Sequence, residues 1–232
     1  MSKSTAIILA AGQGKRMKSH IAKQYLLLNK KPVLFYAIQA FEESQVDEIV
    51  LVVPEGEQQY VMQTILEPHS FQKVKQIVVG GKERFDSVYL GLTAIEGTDY
   101  VLIHDGARPL ITKAVINQTL QTVRDVKACV VGVPVKDTIK IVDKDGKVID
   151  TPQRECVWSI QTPQAFSYEL IYDAYKKFMQ LSEKMATDDA MVLEQMNSFP
   201  IKTVHGSYEN IKITTPEDIV IAESILKSRI EC

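Results

Sequence analysis

The strongest constraint on this chain is the make-up of its short apolar runs. Residues 6–9, 47–54, 100–103 and 128–133 are apolar at nearly every position rather than at every second one. Strands of that kind are buried on both faces, as in a parallel sheet. A further strand is predicted at 74–79, and helical stretches fall between the strands at 32–44, at 57–67, from the loop after 80 to about 95, and at 112–124. Alternation of this sort predicts an α/β fold, a mostly parallel sheet with helices on both faces. The 232 residues, 45% of them hydrophobic, suffice for one domain spanning 1–232.

Ligands of such sheets bind beyond the carboxyl ends of the strands. The first strand runs into Leu9-Ala10-Ala11-Gly12-Gln13-Gly14-Lys15-Arg16-Met17, with Lys23 shortly after. Two glycines let the backbone turn tightly and approach a ligand closely. Successive N–H groups in such a turn converge on an anion. Lys15, Arg16 and Lys23 add three cations, so the stretch reads as a site for several phosphates. It is not a Walker A loop, because Met17 stands after Arg16 where a hydroxyl residue is needed, nor a dinucleotide fingerprint, which needs glycine at that position.

Two later strand ends also carry polar residues. The third strand exits into Gly80-Gly81-Lys82-Glu83-Arg84-Phe85-Asp86-Ser87-Val88, a second glycine loop opening a helix. The fourth leads to His104-Asp105-Gly106-Ala107-Arg108-Pro109, where a strand-end carboxylate suits a hard cation such as magnesium. Each residue also has an ordinary reading: Ser87 as a first-turn serine, Asp105 as a loop cap, Arg154 in a surface salt bridge and Lys212 in solvent. Asp145-Gly146 between two extended runs predicts a β-hairpin arm at about 138–151. The arm has too few apolar residues for a core of its own, so it is expected to pack on something else. A helix is expected over 168–181. Thr187 is read as the N-cap of the next helix, 200–205 as a short strand and Pro216 as the first residue of the last helix.

The strings taken together carry a resemblance. Leu-Ala-Ala-Gly-x-Gly-x-Arg-Met followed by Lys23-Gln-Tyr-Leu26 resembles the signature of nucleotidyltransferases that build nucleotide sugars and alcohols from an NTP. The segments at 80–88, 104–109, 133–140, 154–166 and 210–218 are similar to those of the 2-C-methyl-D-erythritol 4-phosphate cytidylyltransferases. Membership would imply a Rossmann-like fold and transfer of CMP from CTP to a sugar-alcohol phosphate in isoprenoid precursor synthesis. Arg16 and Lys23 would then be catalytic. Ala10, Ala11, Gly12, Gly14, Gly81, Lys82, Ser87, Asp105 and Gly106 would hold the nucleotide. Arg108, Thr138, Arg154, Thr162 and Lys212 would hold the second substrate. Asp105 would also serve Mg2+ or another divalent cation, and the arm would join two subunits as a homodimer. The sequence departs from the family's pattern at Ala22, Lys82 and Gly106.

The net charge of −2 offers no broad basic face for nucleic acid. No apolar run reaches membrane-spanning length. The three cysteines are scattered without metal spacing and read as reduced thiols, so a cytoplasmic location is expected. Ribitol 5-phosphate cytidylyltransferase and a non-catalytic nucleotide-binding regulator are the competing readings. A dehydrogenase fits less well, for want of the third glycine.

Overall fold

The structure is a computed structural model, and it describes residues 2–12 and 22–231. Seven strands form one sheet: β1 (Ser4–Leu9), β2 (Glu48–Val53), β3 (Val74–Val79), β4 (Tyr100–Asp105), β5 (Ala128–Pro134), β6 (Trp158–Ser167) and β7 (Lys202–His205). Their order is β3-β2-β1-β4-β6-β5-β7. Every neighbouring pair is parallel except those made by β6, which runs against both β4 and β5. The expected mostly parallel sheet is therefore present.

Burial alternates along each central strand and fills both faces. Ala6 and Ile8 of β1 join one core with Leu51 of β2 and Leu102 of β4. Ile7 joins the opposite core with Val52 and Ile103. The first face is covered by α1 (Val33–Glu42), α2 (Gln58–Val61, continuing as a π-turn to Leu66) and α4 (Lys113–Val126). The second is covered by α3 (Arg84–Thr93), α5 (Tyr168–Phe178) and α6 (Asp189–Asn197). The last helix, α7 (Pro216–Glu231), packs Ala222 with Leu28, Val33, Leu110 and Ile213 in a smaller third cluster.

Three local expectations are corrected. The stretch read as a helix over 57–67 is broken, passing from α-helix through a π-turn into a 3-10 turn, Glu67–His69, around Pro68. Proline lacks the N–H that a continuing helix needs. Thr187 is not the cap of α6. Asp188 is, its carboxylate accepting from the Met191 amide at 2.9 Å. Finally, β6 was not expected as a strand. Its ladder shifts register between Ile160 and Gln164, around Pro163, and this irregularity hides its period.

The arm forms where expected. Ile141–Val142 pairs with Val148–Asp150 in an antiparallel ribbon outside the main sheet. Its turn is closed by Asp143, whose Oδ1 accepts from the amides of Asp145 and Lys147. Gly146 takes a φ of +81°, which favours glycine. Among the described residues, no helix is long and apolar enough to cross a membrane.

Candidate active site

The strand order places a switch point between β1 and β4, because the chain proceeds from β1 to β2 and β3 on one side and continues with β4 on the other. Crevices at such points receive ligands in doubly wound sheets. Here the carboxyl ends of β1 and β4 are tied together by the Gly106 amide, which donates to Leu9 O at 2.8 Å. A Cβ on Gly106 would stand 2.8 Å from Leu34 Cδ1 and 3.0 Å from Leu9 O, so a small residue is needed there.

A crevice of about 580 Å³ opens above this point. It brings together Ala10, Ala11 and Gly12 from the β1 exit, Lys23, Gly81, Lys82 and Ser87 from the second glycine loop, and Asp105 and Lys212. The two loops touch directly: a Cβ on Gly80 would fall 2.3 Å from the Cβ of Ala11. The second loop is held by a reciprocal capping box between Glu83 and Asp86 at the start of α3. Ser87 Oγ accepts from the Gly81 amide at 3.1 Å and donates to Glu83 O. Gly14 and Arg16, with Lys15, lie outside the described residues.

Asp105 is the electrostatic centre. Its Oδ2 receives Lys212 Nζ at 2.6 Å, and its Oδ1 receives Arg84 Nε at 3.2 Å. Burial acts to raise its carboxyl pKa, but the charges of Arg84 and Lys212 outweigh burial and hold it well below the usual carboxylate range. Arg84 is itself clamped in a two-point pair by Asp189, at 2.9 and 2.8 Å. Burial would lower the Arg84 guanidinium, but Asp189 and Asp105 hold it charged. The Asp105 amide donates to Thr162 Oγ1 at 3.0 Å, and Thr162 also bonds His104 Nδ1 at 3.0 Å. Thr162 thus lies beneath the crevice floor, 4% exposed.

A second hollow of about 440 Å³ lies beside the first and shares Lys212 with it. Arg108 lines it, bonded through Nη1 to Asn210 O at 2.8 Å, and so does Lys136, whose ammonium sits over the Tyr208 ring at 3.8 Å. Thr138 and Arg154 are exposed near the base of the arm and line neither hollow. Arg154 donates weakly to Lys136 O at 3.4 Å. Sequence reasoning missed Arg84 as a functional group, and with it Asp189, Lys136 and Tyr208. The available signal for Asp189 was a pair of acids where a cap needs only one.

Among the described residues no three His, Cys, Asp or Glu side chains converge as a metal site. Magnesium commonly takes one or two carboxylates and completes its shell with water and substrate phosphates. Asp105, at the carboxyl end of β4 in the crevice, fits that smaller share, while the crevice's other carboxylate, Glu83, is taken up by the α3 capping box.

A switch point with this concentration of cations, and no third loop glycine, is that of a nucleotide-binding α/β protein handling several phosphates. The sequence model of the family described as IspD, 2-C-methyl-D-erythritol 4-phosphate cytidylyltransferase, matches residues 4–228. The chain belongs to that family. It is 53% identical over 227 residues to a relative of that description from Lachnoclostridium phytofermentans, covering 98% of this chain and 97% of the relative. A second, from Alkaliphilus oremlandii, is 51% identical over 233 residues, covering 100% of this chain and 98% of the relative. Among solved structures, the 4-diphosphocytidyl-2C-methyl-D-erythritol synthase of Anaerococcus prevotii superposes with a TM-score of 0.85 at 34% identity, covering 97% of this chain and 99% of the other.

Proposed function

We propose that this chain transfers the cytidylyl group of CTP to 2-C-methyl-D-erythritol 4-phosphate, giving the CDP-alcohol and pyrophosphate in the isoprenoid precursor pathway. Family membership over nearly the whole chain supports the reaction. The observation that carries it in the structure is Lys212, which lines both hollows and pairs with the Asp105 carboxylate of the first.

The chemistry asks for little acid–base help. A phosphate monoester is already ionised near neutral pH, and its oxygen forms the new bond to the α-phosphorus of CTP. The bond from that phosphorus to the β-phosphate oxygen breaks, and the electron pair leaves with pyrophosphate. The barrier lies in bringing polyanions together and in stabilising charge on the crowded phosphorus, so positioning and electrostatics dominate. In this reading the amides at Ala10, Ala11 and Gly12 face the triphosphate, and the 80–87 loop closes on the base and ribose through Gly81, Lys82 and Ser87. Lys23 and Arg16 neutralise charge at the α-phosphate and the leaving group. Lys212 and Arg108 receive the acceptor phosphate. A divalent cation would be held by Asp105 and the substrate phosphates, and would supply further charge neutralisation.

The exposed arm supports a homodimer. Ile141, Val148 and Ile149 are 47, 59 and 66% exposed in the single chain. In the dimer, Thr138 and Arg154 are assigned to the acceptor site of the neighbouring subunit, in keeping with their lining neither hollow of their own chain. A cytoplasmic setting is the natural one for this chemistry.

The test is pyrophosphate release from CTP and magnesium with methylerythritol 4-phosphate or ribitol 5-phosphate as acceptor. Release with the first acceptor alone is expected. Release with ribitol 5-phosphate alone would overturn the assignment of the acceptor. Lys23→Ala is expected to lower kcat by about a hundredfold or more, in line with loss of one transition-state donor, and a normal kcat would remove Lys23 from the catalytic role.

A further inference from the structure

Asp189 is a fully buried carboxylate with no capping duty and no place in either hollow. The helix cap is supplied by its neighbour Asp188. Asp189 is nevertheless held from three elements. The Tyr175 hydroxyl of α5 donates to its Oδ1 at 2.6 Å, Arg84 of α3 grips both oxygens, and its own amide donates to Gln164 Oε1 of β6 at 3.1 Å. A buried charge is costly unless paired and hydrogen-bonded, and here both oxygens are fully served.

The consequence lies at the far side of Arg84. With Nη1 and Nη2 each bonded to Asp189, the guanidinium plane is fixed, and Nε meets Asp105 at 3.2 Å. Asp105 has a second partner, Lys212, which lines the hollow assigned to the acceptor as well. A lysine ammonium that turns toward a substrate phosphate shares its charge between phosphate and carboxylate, and Arg84 is then the other side chain that keeps Asp105 in place.

We infer that Asp189 is a positioning residue of cytidylyl transfer: it clamps Arg84 so that Arg84 holds the Asp105 carboxylate fixed while Lys212 is shared between that carboxylate and a substrate phosphate. Tyr175 serves the same clamp from behind. The inference rests on the transfer reaction proposed above and adds a duty for groups that never meet substrate.

The experiment is a double-substitution cycle. Asp189→Asn keeps the volume of the side chain and removes its charge. In the otherwise unchanged enzyme we expect kcat to fall about tenfold or more with no rise in the KM for CTP, in protein whose melting transition remains cooperative. In an Asp105→Ala background, where Arg84 has no carboxylate to hold, the same substitution is expected to change kcat by less than about twofold. Equal losses in the two backgrounds would show a general structural defect and overturn the inference, as would an unchanged kcat in the first. If Asp189→Asn does not fold, Tyr175→Phe decides by the same comparison, since it removes a single hydrogen bond from the clamp. A loss of about threefold confined to the enzyme that retains Asp105 is expected, whereas no loss or an equal loss in both would overturn the inference. The unsubstituted chain serves as the control: if it releases no pyrophosphate, the reaction assignment fails, and the clamp is not what failed.

Discussion

At residue scale, His104 shows how a buried polar chain fixes a proton. The Thr162 hydroxyl accepts from the Asp105 amide and bonds His104 Nδ1 at 3.0 Å. Nε2 faces the Arg108 carbonyl at 3.3 Å, an acceptor only, which favours the neutral ring's proton on Nε2 and leaves Nδ1 to accept from Thr162. Burial pushes the imidazole down to about 4 from its ordinary 6.5, with Arg108 adding to the effect and Asp105 opposing it. Because the folded value lies below the unfolded one, this contribution to stability is complete above pH 6.5. It is lost as pH falls toward 4, where the unfolded chain takes the proton first. The loss amounts to about 3 kcal/mol. Urea denaturation at several pH values checks this: His104→Asn is expected to flatten the fall between pH 6.5 and 4, and an unchanged slope would refute the assignment. The strand-end position of Asp105 was readable from sequence because an apolar run announces its own end. The Arg84–Asp189 pair was not, because the partners lie 105 positions apart and no local pattern links them.

At the scale of elements, the crevice depends on how the second glycine loop and the start of α6 are set. Gly80→Ala would drive a methyl to 2.3 Å from Ala11 Cβ and 2.8 Å from Ser87 Oγ. The β1 exit and the α3 loop must then part. We expect about 1–3 kcal/mol of lost stability from such overpacking, read by thermal denaturation, together with weaker CTP binding. Asp188→Ala removes the α6 cap and the acceptor of Gln164 Nε2 at 2.8 Å, and a loss of about 1–2 kcal/mol is expected. The apolar strands were legible because burial on both faces leaves a continuous hydrophobic run. By contrast, β6 was not. Its Gln161, Thr162 and Gln164 are buried polar groups, and Pro163 sits within the strand, where the lack of an N–H argues against a central position. The arm was legible for the opposite reason, since its Asp-Gly turn is a wholly local signal.

At the scale of the molecule, the single chain leaves the arm's apolar ribbon bare. Replacing the arm's tip, residues 140–150, by a short glycine-rich turn is expected to give a folded monomer with strongly reduced turnover, and sedimentation combined with the pyrophosphate assay reads both. A stable dimer after that deletion would dismiss the arm as the subunit contact. The reversed direction of β6 has a further consequence. The chain leaves β5 at Pro134 and re-enters the sheet beside it at Trp158, with the Val135 amide bonded to Val157 O. Two antiparallel neighbours need no crossover helix, so everything between them is an excursion that begins and ends on the same rim of the sheet. Closing such a loop costs more only slowly as it lengthens. Residues 135–157 therefore form an exchangeable cassette. The remainder of the chain sets the nucleotide chemistry and the core, while the cassette is free to diverge in length and in what it recognises without disturbing either.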